Sequence, residues 1–547
     1  MKSKVRSRHR NPQGLDSHWP LSAEGPSMSE DSHMPMFVSH PSDDSNSELI
    51  KLTPSQHKKD FYSIALLLFL YLLQGIPLGL TASIPMVLQS RKISYHEQAL
   101  FSFSYWPFSL KLLWAPVVDS WYSKWIGRRK SWLVPTQYFI GLFMFILSFN
   151  VNAILGDSTN EKPDVMFLTI VFFMLNFLAA TQDIAVDGWA LTMLSKPRLG
   201  YASTCNAVGQ TAGWFIGNVV FLSLESKEFS NAYLRSVPQS RGIVTLAEFV
   251  YFWGFVYVVT TTLVLIFKRE IDHSRNDDDE LDLGIIGTYK VVWKLIRLRP
   301  LLFLILVFLT AKIGFAGPDG ITGLKLLEKG VPKDRLAFLA IPLVPLQVVL
   351  PWIIGRYTSG PRPMAVYLKS YIFRLFLGLL LPLIVYITPF WKLPGGHFPV
   401  TYYLLIVIVY CIHQIPVYSI FVSQMAFGAQ ISDPLIGGSY MTLLNTVSNL
   451  GGNWPTTLAL SIVDDITYKE CMSNATVSSA IRGIDCNLND KACTDIGGKC
   501  EITLDGYYIL CGLCTVIGLF WWLLMRRRID ALHNVDKKQW TVRIGSA

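Results

Sequence analysis

Charge is what this chain has least of. Only 16% of its 547 residues are Asp, Glu, Lys or Arg, where a soluble domain carries about 25%. That deficit excludes an ordinary soluble domain, and 51% hydrophobic and 13% aromatic residues with a mean hydropathy of +0.36 indicate repeated membrane spans. The formal charge of +9 is no nucleic-acid footprint, because the basic residues fall between apolar runs instead of along one face, so no nucleic-acid partner is expected. Residues 1–60 are polar, rich in Ser, Pro, Asp and His, and lack an apolar core with a cleavage site. They read as a disordered cytosolic tail and not as a signal peptide. There is no GxxxxGK[ST] phosphate loop, which argues against primary ATP-driven transport. No ligand cluster with metal-site spacing occurs either, so neither a metal nor a cofactor is expected.

What is present is a series of apolar runs. A window of about 20 residues finds twelve candidate spans, near 62–88, 98–118, 131–151, 165–192, 202–224, 246–267, 301–323, 337–357, 371–390, 401–427, 435–463 and 504–525. An even number puts both termini on one side. With the N-terminus inside, inward segments carry thirty Lys and Arg and outward loops fifteen, the bias expected of cytosolic termini. The outward loop 464–503 holds Cys471, Cys486, Cys493, Cys500 and the sequon Asn474-Ala475-Thr476. Disulfides and N-glycans both form outside the cytosol. The loop is therefore expected to be glycosylated at Asn474 and stapled by two disulfides, with three pairings open.

Charges inside spans cost roughly 2.5 to 3.5 kcal/mol each unless paired or wetted. Asp183 and Asp187, in Ala180-Thr181-Gln182-Asp183-Ile184-Ala185-Val186-Asp187-Gly188-Trp189, share one helix face and imply a polar cavity in the fourth span. Of the cations, Lys111, Lys312 and Arg374 alone fall inside spans once Arg356, at the inward edge of 337–357, is counted with the inward segments. Counting residues from the cytosolic ends puts Lys111 level with Asp187, so that ion pair is expected as a lock or a gate. Asp183 is then left for proton coupling. Lys312 is near mid-membrane beside Gly314, Gly317 and Pro318, which loosen the helix, and reads as a ligand contact. Arg374, one turn inside the ninth span, is expected to snorkel to the interface or to join the cation set. The turn from Asp119 to Arg128-Arg129-Lys130 makes an acidic-then-basic loop assigned to gating.

The two halves repeat. Shifting the chain by 239 residues superposes Tyr201, Ser203, Asn206, Val208, Gln210 and Gly213 on Tyr440, Thr442, Asn445, Val447, Asn449 and Gly452, and Gly75 on Gly314. Two six-span halves, 61–267 and 300–525, joined by a charged flexible linker 268–299 and followed by a cytosolic tail 526–547, describe an all-α integral membrane protein of the major-facilitator fold, with twelve helices and a substrate site between pseudo-symmetric halves. Helices one and seven are expected to be broken. The amides Asn206, Gln210, Asn445 and Asn449 are expected to face one another from helices five and eleven.

Several segments carry a sharper resemblance: Phe108-Ser109-Leu110-Lys111-Leu112-Leu113-Trp114-Ala115-Pro116, Gly127-Arg128-Arg129-Lys130-Ser131-Trp132, Ala180 to Trp189, and Gly437 to Pro455. They resemble the acetyl-coenzyme A transporter family of the endoplasmic reticulum and, more distantly, bacterial muropeptide permeases of the same branch. The likeness covers essentially every span. It implies transport of acetyl-CoA from cytosol to lumen, supplying luminal protein and sialic-acid acetylation, by a multi-pass protein of the endoplasmic reticulum membrane. Acetyl-CoA carries roughly four negative charges, which Lys111, Lys312 and Arg374 suit. Gln182, Asn206, Gln210, Asn445 and Asn449 are polar candidates for its contacts, and Trp106, Trp189 and Trp214 offer flat surfaces for adenine. Another luminal anion such as glutathione disulfide fits the same chemistry. An acetyltransferase would need a positioned base, and His413 has no catalytic partner at recognisable spacing. Beyond substrate and bilayer, the sequence leaves oligomeric state open.

Overall fold

A computed structural model of the chain describes residues 54–541 apart from 124, 156–162, 196, 197, 199, 200, 271–283, 359, 433–436, 474–479, 487–492 and 494–497. Among these residues, nine helices are long and apolar enough to cross a membrane, or ten if the bent pair over 333–358 is one span. The expected count of twelve is not reached on that criterion. Two expected spans depart from it for different reasons. Residues 98–118 form short pieces, Tyr95–Ser102, Trp106–Leu110 and Ala115–Ser120, separated by 3-10 turns at Phe103–Tyr105 and Lys111–Leu113. Pro107 and Pro116 each remove a helical N–H there. Helix Gly437–Val463 has the length but spends its turns on Asn445, Ser448, Asn449, Asn453, Thr456 and Thr457.

Local chemistry sets the starts. Ser94 with Glu97 and Thr245 with Glu248 form reciprocal caps that begin Tyr95–Ser102 and Leu246–Phe267. Asp505 accepts from the Tyr507 N–H at 3.0 Å and begins Gly506–Ala531. Helix one runs unbroken from Pro54 to Ser90 despite Pro77 and Pro85, so it takes in 54–60, expected as tail, and is not the broken partner of helix seven. Helix seven is broken as expected: a 3-10 turn at Lys312–Phe315 divides Arg299–Ala311 from Ala316–Glu328. The linker, expected to be flexible, contains helix Gly284–Ile296. The tail after 525 extends the last helix to Ala531 and then tucks Trp540, 1% exposed, against the core. The apolar content of 526–541 (Ile529, Leu532, Trp540) carries that packing.

Close helix contacts depend on absent side chains. A Cβ on Gly75 would lie 2.3 Å from the Gln210 carbonyl oxygen, so helix one reaches the backbone of helix Tyr201–Phe215 only through glycine. In the second half a Cβ on Gly451 would lie 2.0 Å from the Phe308 carbonyl oxygen, closing helix eleven on helix seven. The same two helix pairs are thus fused in each repeat. Buried side chains gather accordingly, in one cluster largely from 73–257 and another from 291–540. Large apolar residues such as Phe149 and Phe373 remain on the outside, where lipid replaces water as their solvent.

One end of the bundle carries a three-stranded antiparallel sheet in which Tyr468–Ser473 lies between Ala480–Asp485 and Gly498–Leu504. Of the three open pairings the structure takes Cys471–Cys493 and Cys486–Cys500, with Cα separations of 5.7 and 5.9 Å. The sulfurs of Cys471, Cys486 and Cys493 cluster, but as disulfides they offer no thiolate to a metal. Asn474 lies outside the described residues. This end is called the disulfide end below, and the opposite one, where helix one starts, the tail end.

Candidate functional site

Two polar layers cross the interior. In the first half the Lys111 ammonium lies 2.5 Å from Asp183 Oδ2, both side chains under one tenth exposed. The expected partner was Asp187, so this is a correction of one helical turn. The depth count assumed a continuous α-helix, whereas Lys111 begins a 3-10 turn in a segment of short pieces. Asp187 instead accepts from the Tyr71 hydroxyl at 2.7 Å and from Asn206 Nδ2 at 3.0 Å. Gln74 Nε2 donates to the other oxygen of Asp183 at 2.6 Å. Tyr71 and Gln74 are three apart on helix one and meet carboxylates four apart on helix four, a ladder between antiparallel helices. Sequence reasoning assigned neither residue. The available signal was two polar groups on one face of an apolar run.

The other first-half candidates are distributed around this ladder. Gln182 is fully buried and donates to the Leu70 carbonyl at 3.2 Å. Trp189, 1% exposed, packs in the apolar cluster with Leu67, Tyr71 and Val264, so in this conformation it offers no face to a ligand. At the tail end Asp119 pairs with Arg129 at 2.5 Å, and Arg128 Nε donates to the Asp119 carbonyl at 2.9 Å. Glu270 accepts from the backbone N–H groups of Arg129 and Lys130. A Cβ on Gly188 would meet the Arg129 guanidinium at 2.2 Å, so that arginine lies directly over the helix carrying Asp187.

In the second half Lys312 donates to the Ser448 carbonyl at 2.8 Å, and its stem lies over Gly452. Among the described residues no carboxylate lies within 4 Å of its ammonium. Arg374 does not snorkel: it is 7% exposed, reaches Asp319 at 2.5 Å and stacks over Phe315 at 4.2 Å. His413 is buried. The four amides do not form one facing set, since Asn206 turns to Asp187 within its own half. Asn445 lines a small recess with Gln424 and Ser448. Trp106 reaches Thr457 at 3.5 Å, and Trp214 packs against the first-half core.

Between the halves lies a cavity of about 370 Å³, walled by helix one, the 95–105 segment, helix Ala316–Glu328 and helix eleven. Asp319, Gly323, Tyr105, Asn453, Met86 and Phe101 are on its wall. Contacts between the halves close it at the disulfide end: Tyr95 donates to Glu328 at 2.7 Å, the His96 N–H to Asp464 at 3.1 Å, and Lys333 pairs with Glu225. Lys325, expected in a loop because the seventh span was ended at 323, is instead buried in a helix that continues to Glu328. It pairs with Asp505 at 2.8 Å and with Glu328 at 3.0 Å.

Comparison with known proteins agrees with this architecture. The family described as acetyl-coenzyme A transporter 1 matches residues 63–278, 271–368 and 362–542. An uncharacterised protein of Schizosaccharomyces pombe is 35% identical over 474 residues, covering 86% of this chain and 85% of its own length. An uncharacterised membrane protein of Saccharomyces cerevisiae is 30% identical over 553 residues, covering 88% and 98%. The anhydromuropeptide permease of Escherichia coli is 25% identical over 164 residues, 30% of this chain and 32% of that one. Among solved structures, a bacterial homologue of the human lysosomal transporter Spinster matches with a TM-score of 0.55 at 11% identity, covering 89% of this chain and 99% of that one. The nucleoside transporter NupG matches at 0.52 with 10% identity, covering 85% and 99%. The fold is that of the major facilitator superfamily, and the chain belongs to the acetyl-coenzyme A transporter 1 family.

Proposed function

We propose that this membrane transporter moves acetyl-CoA from the cytosol into the lumen of the endoplasmic reticulum by alternating access, with its tails cytosolic and its disulfide end luminal. The observation that carries the proposal is Lys312, a half-buried cation between broken helix pieces with a carbonyl and a hydroxyl as its neighbours and, among the described residues, no carboxylate within 4 Å. A charge so placed is costly unless an anion visits it, and phosphate is the anion that lysine suits as a point charge. Lys111 and Arg374 are each spent on an acid. They hold helices in register and are free for ligand only if those pairs open.

Chemistry of the surrounding residues favours transport over acetyl transfer. Histidine is the commonest general base, and the intramembrane His413 is buried on helix Val400–Ile431 without a side-chain acid bonded to it among the described residues. Lys312→Gln in reconstituted protein tests the reading. Transport weakens about ten- to a hundredfold, from the roughly 1.5 to 3 kcal/mol of one charged hydrogen bond, with the greatest loss for the most highly phosphorylated substrate. A folded mutant with unchanged apparent affinity would show that Lys312 is structural.

A further inference from the structure

Lys312 and the cavity are neighbours on one helix. Ser448 and Gly452, which touch Lys312, are followed one turn later by Thr456, which lines the cavity with Asn453 and Leu460. Successive turns rise about 5.4 Å, so the cation lies about one turn towards the tail end from the cavity floor. The two environments differ in charge. No lysine or arginine lines the cavity, and its one acid, Asp319, is already compensated by Arg374 at 2.5 Å. A phosphate placed there would meet a carboxylate, and an ammonium would compete with a guanidinium already in place. The wall is mostly apolar, with Met86, Phe101, Leu324 and Leu460, and it offers acceptors: Asp319, and the Asn453 carbonyl, since Asn453 donates through Nδ2 to Ser109 at 2.8 Å and to the Tyr105 carbonyl at 3.3 Å. Acceptors on an apolar wall select a neutral chain bearing N–H or O–H donors.

We infer that this cavity receives the uncharged, amide-bearing arm of a coenzyme thioester, acyl end towards the disulfide end, while the phosphates stay at Lys312. The inference rests on the acetyl-CoA reading and adds an orientation to it. The arm carries two amide N–H groups and a hydroxyl, no charge, and a thioester that needs no ionic partner. Gly323 sets the room: an added Cβ there would meet nothing within 4 Å, so the cavity, not packing, occupies that side of the helix. Asp319 and Gly323 are one turn apart on that helix, the first orienting the arm and the second leaving space for it.

Gly323→Leu puts a side chain into the cavity at a position where an added Cβ meets nothing within 4 Å, and replacing a helical glycine favours folding. Wild type and mutant are reconstituted and compared for binding of acetyl-CoA, of adenosine 3′,5′-bisphosphate as a head without the arm, and of acetyl-pantetheine as the arm without the head. The expected result is roughly a tenfold or greater loss of acetyl-CoA affinity, equivalent to about 1.4 kcal/mol or more, with acetyl-pantetheine competition abolished and the nucleotide unaffected. Asn453→Leu, which removes the acceptor and the two hydrogen bonds to Ser109 and the Tyr105 carbonyl but not space, shifts the same two ligands in the same direction. Equal loss of head and arm, or unchanged acetyl-CoA affinity in Gly323→Leu, overturns the orientation alone. A wild-type protein that binds no acetyl-CoA at all overturns the transport reading and this inference with it.

Discussion

Exchanging the partners of Lys111 discriminates between two adjacent carboxylates. Lys111 and Asp183 are 2.5 Å apart with side chains 8% and 5% exposed, and Gln74 holds the second carboxylate oxygen at 2.6 Å. Removing one member leaves a buried charge uncompensated, which costs about 3–5 kcal/mol. Lys111→Met is therefore strongly destabilising. Adding Asp183→Asn removes the orphaned charge and keeps an amide for Gln74, so the double mutant recovers most of that loss. Adding Asp187→Asn recovers little, because Asp187 is served by Tyr71 and Asn206 whether or not Lys111 is charged. The assay is monodisperse yield and thermal unfolding in detergent for three single and two double mutants, read as a double-mutant cycle. Recovery by Asp187→Asn together with failure by Asp183→Asn would refute the pairing seen in the structure.

Other parts of the fold give independent tests. Gly75→Val forces a side chain into the backbone of the neighbouring helix, and overpacking of this kind costs about 1–3 kcal/mol; unfolding should shift down clearly, and an unshifted transition would mean that helices one and five separate freely. Asn474→Gln should abolish a mobility shift that endoglycosidase produces in wild type, and a wild-type band that does not move argues against a luminal loop. In non-reducing peptide mapping the same loop should yield Cys471 linked to Cys493 and Cys486 linked to Cys500, and any other linkage contradicts the pairing in the structure.

Much of this site was legible because charge inside an apolar run is conspicuous. Asp183, Asp187, Lys111, Lys312 and Arg374 all stood out that way, and each is tied to another side chain in the interior, Lys312 to a hydroxyl instead of an acid. Which partner each took was not legible. Lys111 lies in a segment of short pieces broken by 3-10 turns, to which a count of α-helical residues does not apply, and Arg374 found Asp319 on another helix, which spacing along one segment cannot reveal. Tyr71, Gln74 and Lys325 were missed for different reasons. Tyrosine and glutamine are inexpensive enough in an apolar run to pass as packing, and Lys325 lies just past a boundary drawn two residues after Ile321, where span ends are least certain from sequence. Helix one was expected to break because the repeat sets Gly75 on Gly314, yet its chain stays helical through Pro77, with the Thr81 hydroxyl donating to the Pro77 carbonyl at 2.7 Å.

The most direct measurement is uptake by sealed liposomes containing only the purified protein, with acetyl-CoA labelled in the acetyl group and, separately, in the nucleotide. Transport predicts that both labels enter together, saturably, and are recovered as intact acetyl-CoA, with competition by CoA stronger than by glutathione disulfide. Separation of the labels, with acetyl left on an acceptor, would identify an acetyltransferase. Accumulation of glutathione disulfide with exclusion of both labels would assign the cavity and Lys312 to a different anion.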